Sequence, residues 1–241
     1  MDYVFIHIFY IKIFYDSSEE GCTISSSLIK KIVLYLTIAI FSLSFAITVT
    51  INFPGLLKTN LLLQDSSNFE RWSIEQVSRD FRNLMDYLNN PFLKSLDFDY
   101  LFLSKQGRTH FKDVKKLFQL NYFLLLFSGM SLFLFNTRKI IFREQIEKIL
   151  KQVKYLFLVI GLGALLFFER AFILFHELLF ANNYWIFDYQ TDPIILFLPE
   201  SFFLICFVLI VLISSIFLLI LPKFFPRDPR FLNPENFKNS S

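Results

Sequence analysis

"LFQLNYFLLLFSGMSLFLF", residues 117 to 135, runs directly into "NTRKIIFREQIEKILKQVK", residues 136 to 154, and these two stretches decide the fold. The first carries no charge and is long enough, as a helix, to cross a hydrocarbon core of ~30 Å. The second carries Arg138, Lys139, Arg143, Lys148, Lys151 and Lys154, the kind of basic connection that stays on the cytoplasmic side. Working outward, comparable apolar runs occur at about Ile32 to Phe53, Tyr155 to Phe175 and Phe202 to Leu221. The sequence therefore predicts an all-α integral membrane protein with four transmembrane helices.

Composition agrees. The chain has 241 residues, 54% of them hydrophobic and 34 of them Phe, too apolar and too unevenly distributed for one soluble core. Its two cysteines, Cys22 and Cys206, supply neither a disulfide framework nor a thiolate metal cluster. A net charge of +3 without interleaved basic and aromatic residues points away from nucleic acid.

The connection from His176 to Ser201 contains no Lys or Arg, which puts it outside and both termini inside. Lys30, Lys31, Lys223, Arg227 and Arg230 agree. The loop from Pro54 to Lys116 then also lies outside; its ten basic residues do not oppose this, because the charge rule weakens in long loops. The expected organisation is an N-terminal extension (1–28), a membrane domain (29–221) with an extracellular cap (54–116) and a second outer loop (176–201), and a cytoplasmic tail (222–241). The stretch Val4 to Phe14 is apolar but short and interrupted by His7 and Lys12, so it reads as an interfacial extension and not as a fifth span.

Within the cap, "SIEQVSRDFRNLMDYLNNP" opens with a Ser73/Gln76 capping box and places Ile74, Val77, Phe81, Leu84 and Leu88 on one face, predicting an amphipathic helix that Asn89, Asn90 and Pro91 end. "SLDFDYLFLS" (95–104) alternates partly at period two and reads as extended or strand-like.

Two of the three histidines occupy equivalent places. His110 stands just ahead of the second span, with Thr109 as its N-cap, and His176 just beyond the third. Both lie at the outer membrane boundary in the deduced topology. Imidazole takes and returns protons near neutral pH, and the positive end of a helix favours neutral His110, suiting it to act as a base. Glu169 and Glu177 offer His176 a carboxylate, suiting it to proton donation or oxyanion stabilisation. The competing reading makes both histidines ordinary interfacial polar groups. "HELLF" begins like a zinc-protease motif, but Phe180 replaces the second ligand, and no metal or other cofactor is expected.

The outer connection "FANNYWIFDYQTDPIILFLPESFF" mixes Tyr184, Trp185 and Phe187 with Asn182, Asn183, Asp188 and Asp192. The rings fit an aromatic belt; the polar groups among them also fit an interfacial pocket for a headgroup-like ligand. Glu169 and Arg170 read equally as a snorkelling pair or as groups for a zwitterionic substrate. Gly161, Gly163 and Ala164 permit close helix packing. Midspan polarity is confined to Ser and Thr, which argues against an ion-coupled transporter. No G-x-S-x-G elbow marks a nucleophile.

"NLMDYL" (83–88), "HFKDVKKLF" (110–118), "FH" (175–176), "NNYWIFD" (182–188) and "TDPIILFLPESFF" (191–203) resemble, in order and topological place, the signatures of a bacterial membrane family that includes the lipoprotein intramolecular transacylase, Lit. Tyr189 stands where that pattern has Pro. The resemblance covers about Leu28 to Leu221. It implies an acyltransferase of the bacterial cytoplasmic membrane that acts on diacylglyceryl-modified lipoproteins. The reaction that the resemblance implies moves the sn-2 acyl chain to the α-amino group of the N-terminal cysteine and leaves a lyso-form lipoprotein. The resemblance further implies His110 and His176 as the catalytic pair. Beside them, Phe111, Tyr184 and Trp185 as aromatic walls and Asp113, Glu169, Arg170, Asn182 and Asp188 as polar neighbours are the candidate substrate-binding residues that the sequence itself offers. A non-catalytic scaffold or lipid-binding protein of the envelope, or another lipid-active acyl hydrolase, are the alternatives.

Overall fold

The computed structural model describes residues 23–53, 55–62 and 70–229. The stretch Val4 to Phe14, Cys22 and the tail from Arg230 onward lie outside the described residues. All regular structure among the described residues is helical: α1 (Thr23–Ile51), α2 (Gly55–Leu62), α3 (Ile74–Asn89), α4 (Lys105–Thr137), α5 (Arg143–Leu166), α6 (Phe168–Leu179) and α7 (Glu200–Ile220), with 3-10 turns at Pro193–Leu196 and Leu221–Phe224. Four of these are long and apolar enough to cross a membrane: α1 from Ile29, α4, α5, and α7 with its following turn. The chain is a multi-pass membrane protein.

The third span differs from expectation. The apolar run Tyr155–Phe175 is not one helix, because the backbone leaves helical geometry at Phe167 (φ −125°, ψ 43°) and restarts as α6. Phe167 N–H still bonds the Gly163 carbonyl at 3.1 Å, and its own carbonyl accepts from Ala171 at 2.9 Å, so the kink leaves that residue's backbone satisfied in an apolar setting. The helix also starts earlier than hydropathy suggests. Most of the basic connection 136–154 is the first part of α5, where the Gln145 side chain accepts from Phe142 N–H and a shared apolar cluster anchors Ile146, Ile149, Leu150 and Val153.

The strand-like reading of 95–104 is corrected as well. The segment is irregular, and its amides go to a side chain: buried Asp80 of α3 accepts from the N–H groups of Asp99 (2.7 Å), Tyr100 (3.0 Å) and Leu101 (2.7 Å). Three donors held by one carboxylate leave no ladder for a partner strand. α3 follows its sequence closely, with the capping box between Ser73 and Gln76 and its end at Asn89.

Packing is layered along the bundle. At one end α2, α3, Leu96, Leu101, Phe111 of α4 and residues 194–202 share one apolar cluster; at the other, α1, α4, α5 and α7 share a second. Between them the interior is small and polar. Ser42 and Ser214, both fully buried, exchange hydroxyl-to-carbonyl hydrogen bonds across α1 and α7 at 3.4 Å, and Asn121 of α4 donates to Thr48 of α1 at 2.8 Å. In lipid, such close small-residue contacts hold helices together where no hydrophobic driving force operates between them. Where α1 and α4 leave the apolar region, Asn52, Tyr122 and Asn89 form a hydrogen-bonded ring that fastens α3 to both (2.6–3.1 Å).

Candidate active site

α4 is 33 residues long, or about 50 Å, while a hydrocarbon core needs about 20 residues. Its first twelve residues, with Lys105, Arg108, Lys112, Asp113, Lys115 and Lys116, stand outside the apolar stretch 117–135. The helix begins at Ser104, whose hydroxyl accepts from Gly107 N–H at 2.9 Å; Thr109 is interior to the helix and bonds back to the Lys105 carbonyl. Ser104 N–H in turn donates to buried Asp192 at 2.7 Å, which pins the loop after α6 to the head of α4. Gly107 is required at this crossing, because a Cβ there would collide with the Asp192 carboxylate. His110 thus lies one turn past the crossing, buried at 7% exposure.

His176 sits in the last turn of α6, buried at 8% exposure. Its Nδ1 lies 2.7 Å from the Phe172 carbonyl. A carbonyl can only accept, so Nδ1 carries the proton and the neutral ring presents an unprotonated Nε2. The carboxylate expected to orient this ring is absent from its partners; Glu169 and Glu177 are exposed, and the backbone does the work instead.

The two rings are brought together, with centroids 6.1 Å apart. Aromatic side chains close around them. Phe180 lies edge-on to His110 at 4.8 Å and Phe187 at 5.4 Å, while Trp185 stacks on His176 at 4.6 Å and Phe172 approaches it at 4.3 Å. Phe111 completes the wall against Phe187 at 5.5 Å. His110 Nδ1 and Trp185 Nε1 are buried without a hydrogen-bond partner. Buried polar groups of native proteins are nearly always paired, and exceptions tend to be functional. Two buried imidazoles in an aromatic cage, with unpaired polar atoms, can exchange protons with a polar group seated between them.

Electrostatics keep the pair neutral. Burial pushes the His110 imidazole down to about 4, the neighbouring His176 adds to the shift, and Asp113 opposes it. Burial lowers His176 too, against the hydrogen bond to Phe172. Neutral His110 was expected, but burial and not the helix end is the main cause. Above pH 6.5 His110 is neutral whether the chain is folded or not. Between pH 6.5 and about 4 the unfolded chain binds a proton that folded His110 refuses, so folding loses about 3 kcal/mol as pH falls through that window. The thermal midpoint in detergent is therefore expected to drop on acidification, and to drop less in His110→Phe; parallel declines in the two proteins would contradict a buried neutral ring.

The remaining candidates are spread more widely. Asp113 is half-buried and paired with Lys116 at 2.8 Å. Asn182 and Asp188 accept backbone N–H groups of Tyr184 (3.0 Å) and Gln190 (2.9 Å), shaping the loop that carries Trp185 and Phe187. Tyr184, Glu169 and Arg170 are exposed, and the two charged residues form no ion pair among the described residues. Sequence reasoning gave Phe172 and Phe180 no part in the site and Phe187 only a belt role. The i−4 spacing of Phe172 from His176 was the available signal for the first.

The model of the family described as lipoprotein intramolecular transacylase Lit matches residues 32–203. An in meso structure of the membrane integral lipoprotein intramolecular transacylase Lit from Bacillus cereus is 27% identical with a TM-score of 0.69, covering 80% of this chain and 93% of that one. A histidine-to-alanine variant of the Bacillus cereus protein is 25% identical with a TM-score of 0.60, covering 81% and 91%. No curated protein sequence matches the chain. A family match over most of the chain, joined to the same helical architecture, makes this protein a membrane acyltransferase belonging to the lipoprotein intramolecular transacylase Lit family.

Proposed function

We propose that this chain converts diacylglyceryl lipoproteins to the lyso form by moving the sn-2 acyl group onto the α-amino group of the N-terminal cysteine, with His110 and His176 handling the protons. The observation that carries this reading is the pair of buried rings 6.1 Å apart inside an aromatic cage. His176 Nε2 accepts a proton from the attacking amine, a role supported by the hydrogen bond that fixes its tautomer. The amine nitrogen bonds to the ester carbonyl carbon; the carbon–oxygen bond to glycerol then breaks, and that oxygen takes the proton His176 received from the amine, which returns His176 to its neutral form. The N–H of neutral His110 and the indole N–H of Trp185 supply hydrogen bonds to the oxyanion, a role supported by the two buried ring nitrogens that lack partners. This reverses the roles expected from the sequence.

Donor and acceptor belong to one molecule, so no covalent enzyme intermediate is required. The cage supplies proximity, holding amine and ester together with water excluded, which can contribute ~7 kcal/mol or more. Phe111 and Trp185 form its walls. Asp113, Glu169, Arg170, Asn182, Tyr184 and Asp188 act at its margin, through loop shape and contact with the substrate's polar parts. The basic residues around the termini and at the start of α5 support a cytoplasmic position for those segments, and with it an outer-face position for the histidines.

The test is to express the chain in a bacterium that makes only diacylglyceryl lipoproteins, and to take the mass and fragment spectrum of one lipoprotein's N-terminal peptide. An unchanged total mass with one acyl group on the cysteine nitrogen is expected. Release of free fatty acid would replace this reading with a hydrolase, and an unmodified peptide beside folded protein would favour a scaffold.

A further inference from the structure

Far from the histidines, at the basic end, two adjoining depressions of about 520 and 430 Å³ run along the seam between α5 and α7. They share Lys154, Leu158 and Leu219, so together they form one groove. Its mouth is polar, with Lys151, Lys154, Tyr155 and Glu147. Its length is apolar, bounded by Leu158, Leu162 and Leu165 on α5 and by Phe207, Val211 and Leu212 on α7. Gly161 keeps the floor open: a side chain there would rest against Val211 at 3.5 Å.

Charge says what the mouth accepts. Glu147, the one acid in the lining, is held by Arg143 at 2.8 Å, whereas Lys151 and Lys154 have no acidic partner among the described residues. Lys154 is half-buried at the junction of the two depressions. Two unpaired ammonium groups over an apolar slot that faces lipid match one molecule in both parts, an anionic headgroup above a hydrocarbon chain.

We propose that the α5–α7 groove seats an anionic phospholipid of the leaflet at the basic end, with its phosphate between Lys151 and Lys154 and one acyl chain along Leu158, Gly161 and Val211. The bound lipid fills the seam under the kink at Phe167 and so supports the base from which α6 and His176 rise. The site belongs to a structural lipid and is separate from the transacylation chemistry, so it stands or falls independently of that proposal.

The experiment is native mass spectrometry of the protein in detergent, titrated with phosphatidylglycerol or with phosphatidylcholine of the same chain length. At least one phosphatidylglycerol adduct is expected to persist under activation that strips phosphatidylcholine. Lys151→Gln/Lys154→Gln is expected to weaken phosphatidylglycerol binding by about 30-fold. Gly161→Leu, which fills the floor, is expected to remove the persistent adduct while both lysines remain. Arg138→Gln/Lys148→Gln removes as much charge from the same end outside the groove and is expected to leave binding unchanged; thermal midpoints confirm that each variant folds. Equal retention of the two lipids, loss in the control variant, or full binding by Gly161→Leu would each overturn the proposal. So would a lipid-free dimer that buries the groove.

Discussion

His176→Ala is expected to slow acyl migration by about 10³-fold or more, within the range by which a positioned general base accelerates proton transfer. The alanine variant also removes a ring packed on Trp185 and Phe172, so by itself it mixes lost chemistry with lost packing. His176→Asn separates the two. The asparagine amide can still donate to the Phe172 carbonyl, as Nδ1 does now at 2.7 Å, but it has nothing at the Nε2 position. A purified, folded Asn variant followed by mass-spectrometric time course is expected to be nearly as slow as the alanine variant. Retention of a tenth or more of the wild-type rate would transfer the base role to His110. The rate should fall with the substrate amine's own protonation below about 7.7–8.0, and the fall should steepen only below about 6.5, because burial moves both imidazoles downward and protonation removes the lone pair that the mechanism needs.

Asp80→Ala has the largest expected effect on stability. This carboxylate is completely buried and accepts three consecutive amides, of Asp99, Tyr100 and Leu101. Hydrogen bonds to a charged acceptor are worth more than neutral ones, and the deletion leaves three donors without their acceptor, that of Leu101 in a buried position and those of Asp99 and Tyr100 partly open to solvent. A loss of about 4 kcal/mol follows after allowing for relaxation of the segment toward water. Asp80→Asn, with one acceptor oxygen in place of two, should lose roughly half as much. Thermal unfolding in detergent reads both. Residues 99–101 lead directly into Ser104 and the helix that carries His110, so activity should decline in step with stability; an inactive but fully stable Asp80→Ala would show a more direct role.

The four spans were legible because hydrocarbon thickness translates directly into a length of uncharged sequence, and α3 was legible because its capping box and apolar face are local signals. The kink at Phe167 was not. No Pro or Gly stands at the break, and an apolar run looks the same whether it continues or bends. Thr109 was mistaken for the cap because the start of α4 depends on Asp192, 88 residues away, which bonds Ser104 N–H. The histidine pair emerged from topology, since two chain-distant imidazoles at one depth need no contact information. Their cage did not, because Phe180 and Phe187 approach His110 only through the fold of the loop between them. Period-two alternation misled at 95–104, where the amides are satisfied by Asp80 and not by a neighbouring strand.

The great length of α4 has one further consequence. His110 stands seven residues beyond the apolar stretch that begins at Leu117, about 10 Å along a rigid helix. The polar margin of a bilayer is only about 5–8 Å deep on each side. Counted on α4 alone the ring would stand clear of the hydrocarbon, but His176, 6.1 Å from it, ends the apolar α6, on which Ile173, Leu174, Phe175, Leu178 and Leu179 are exposed. The phenyl and indole rings around the pair continue that apolar surface. α6 and the cage together extend the membrane's oil phase to the height of the histidines, so that a lipid ester can reach them with its methylenes, each worth about 0.8 kcal/mol, still in apolar contact.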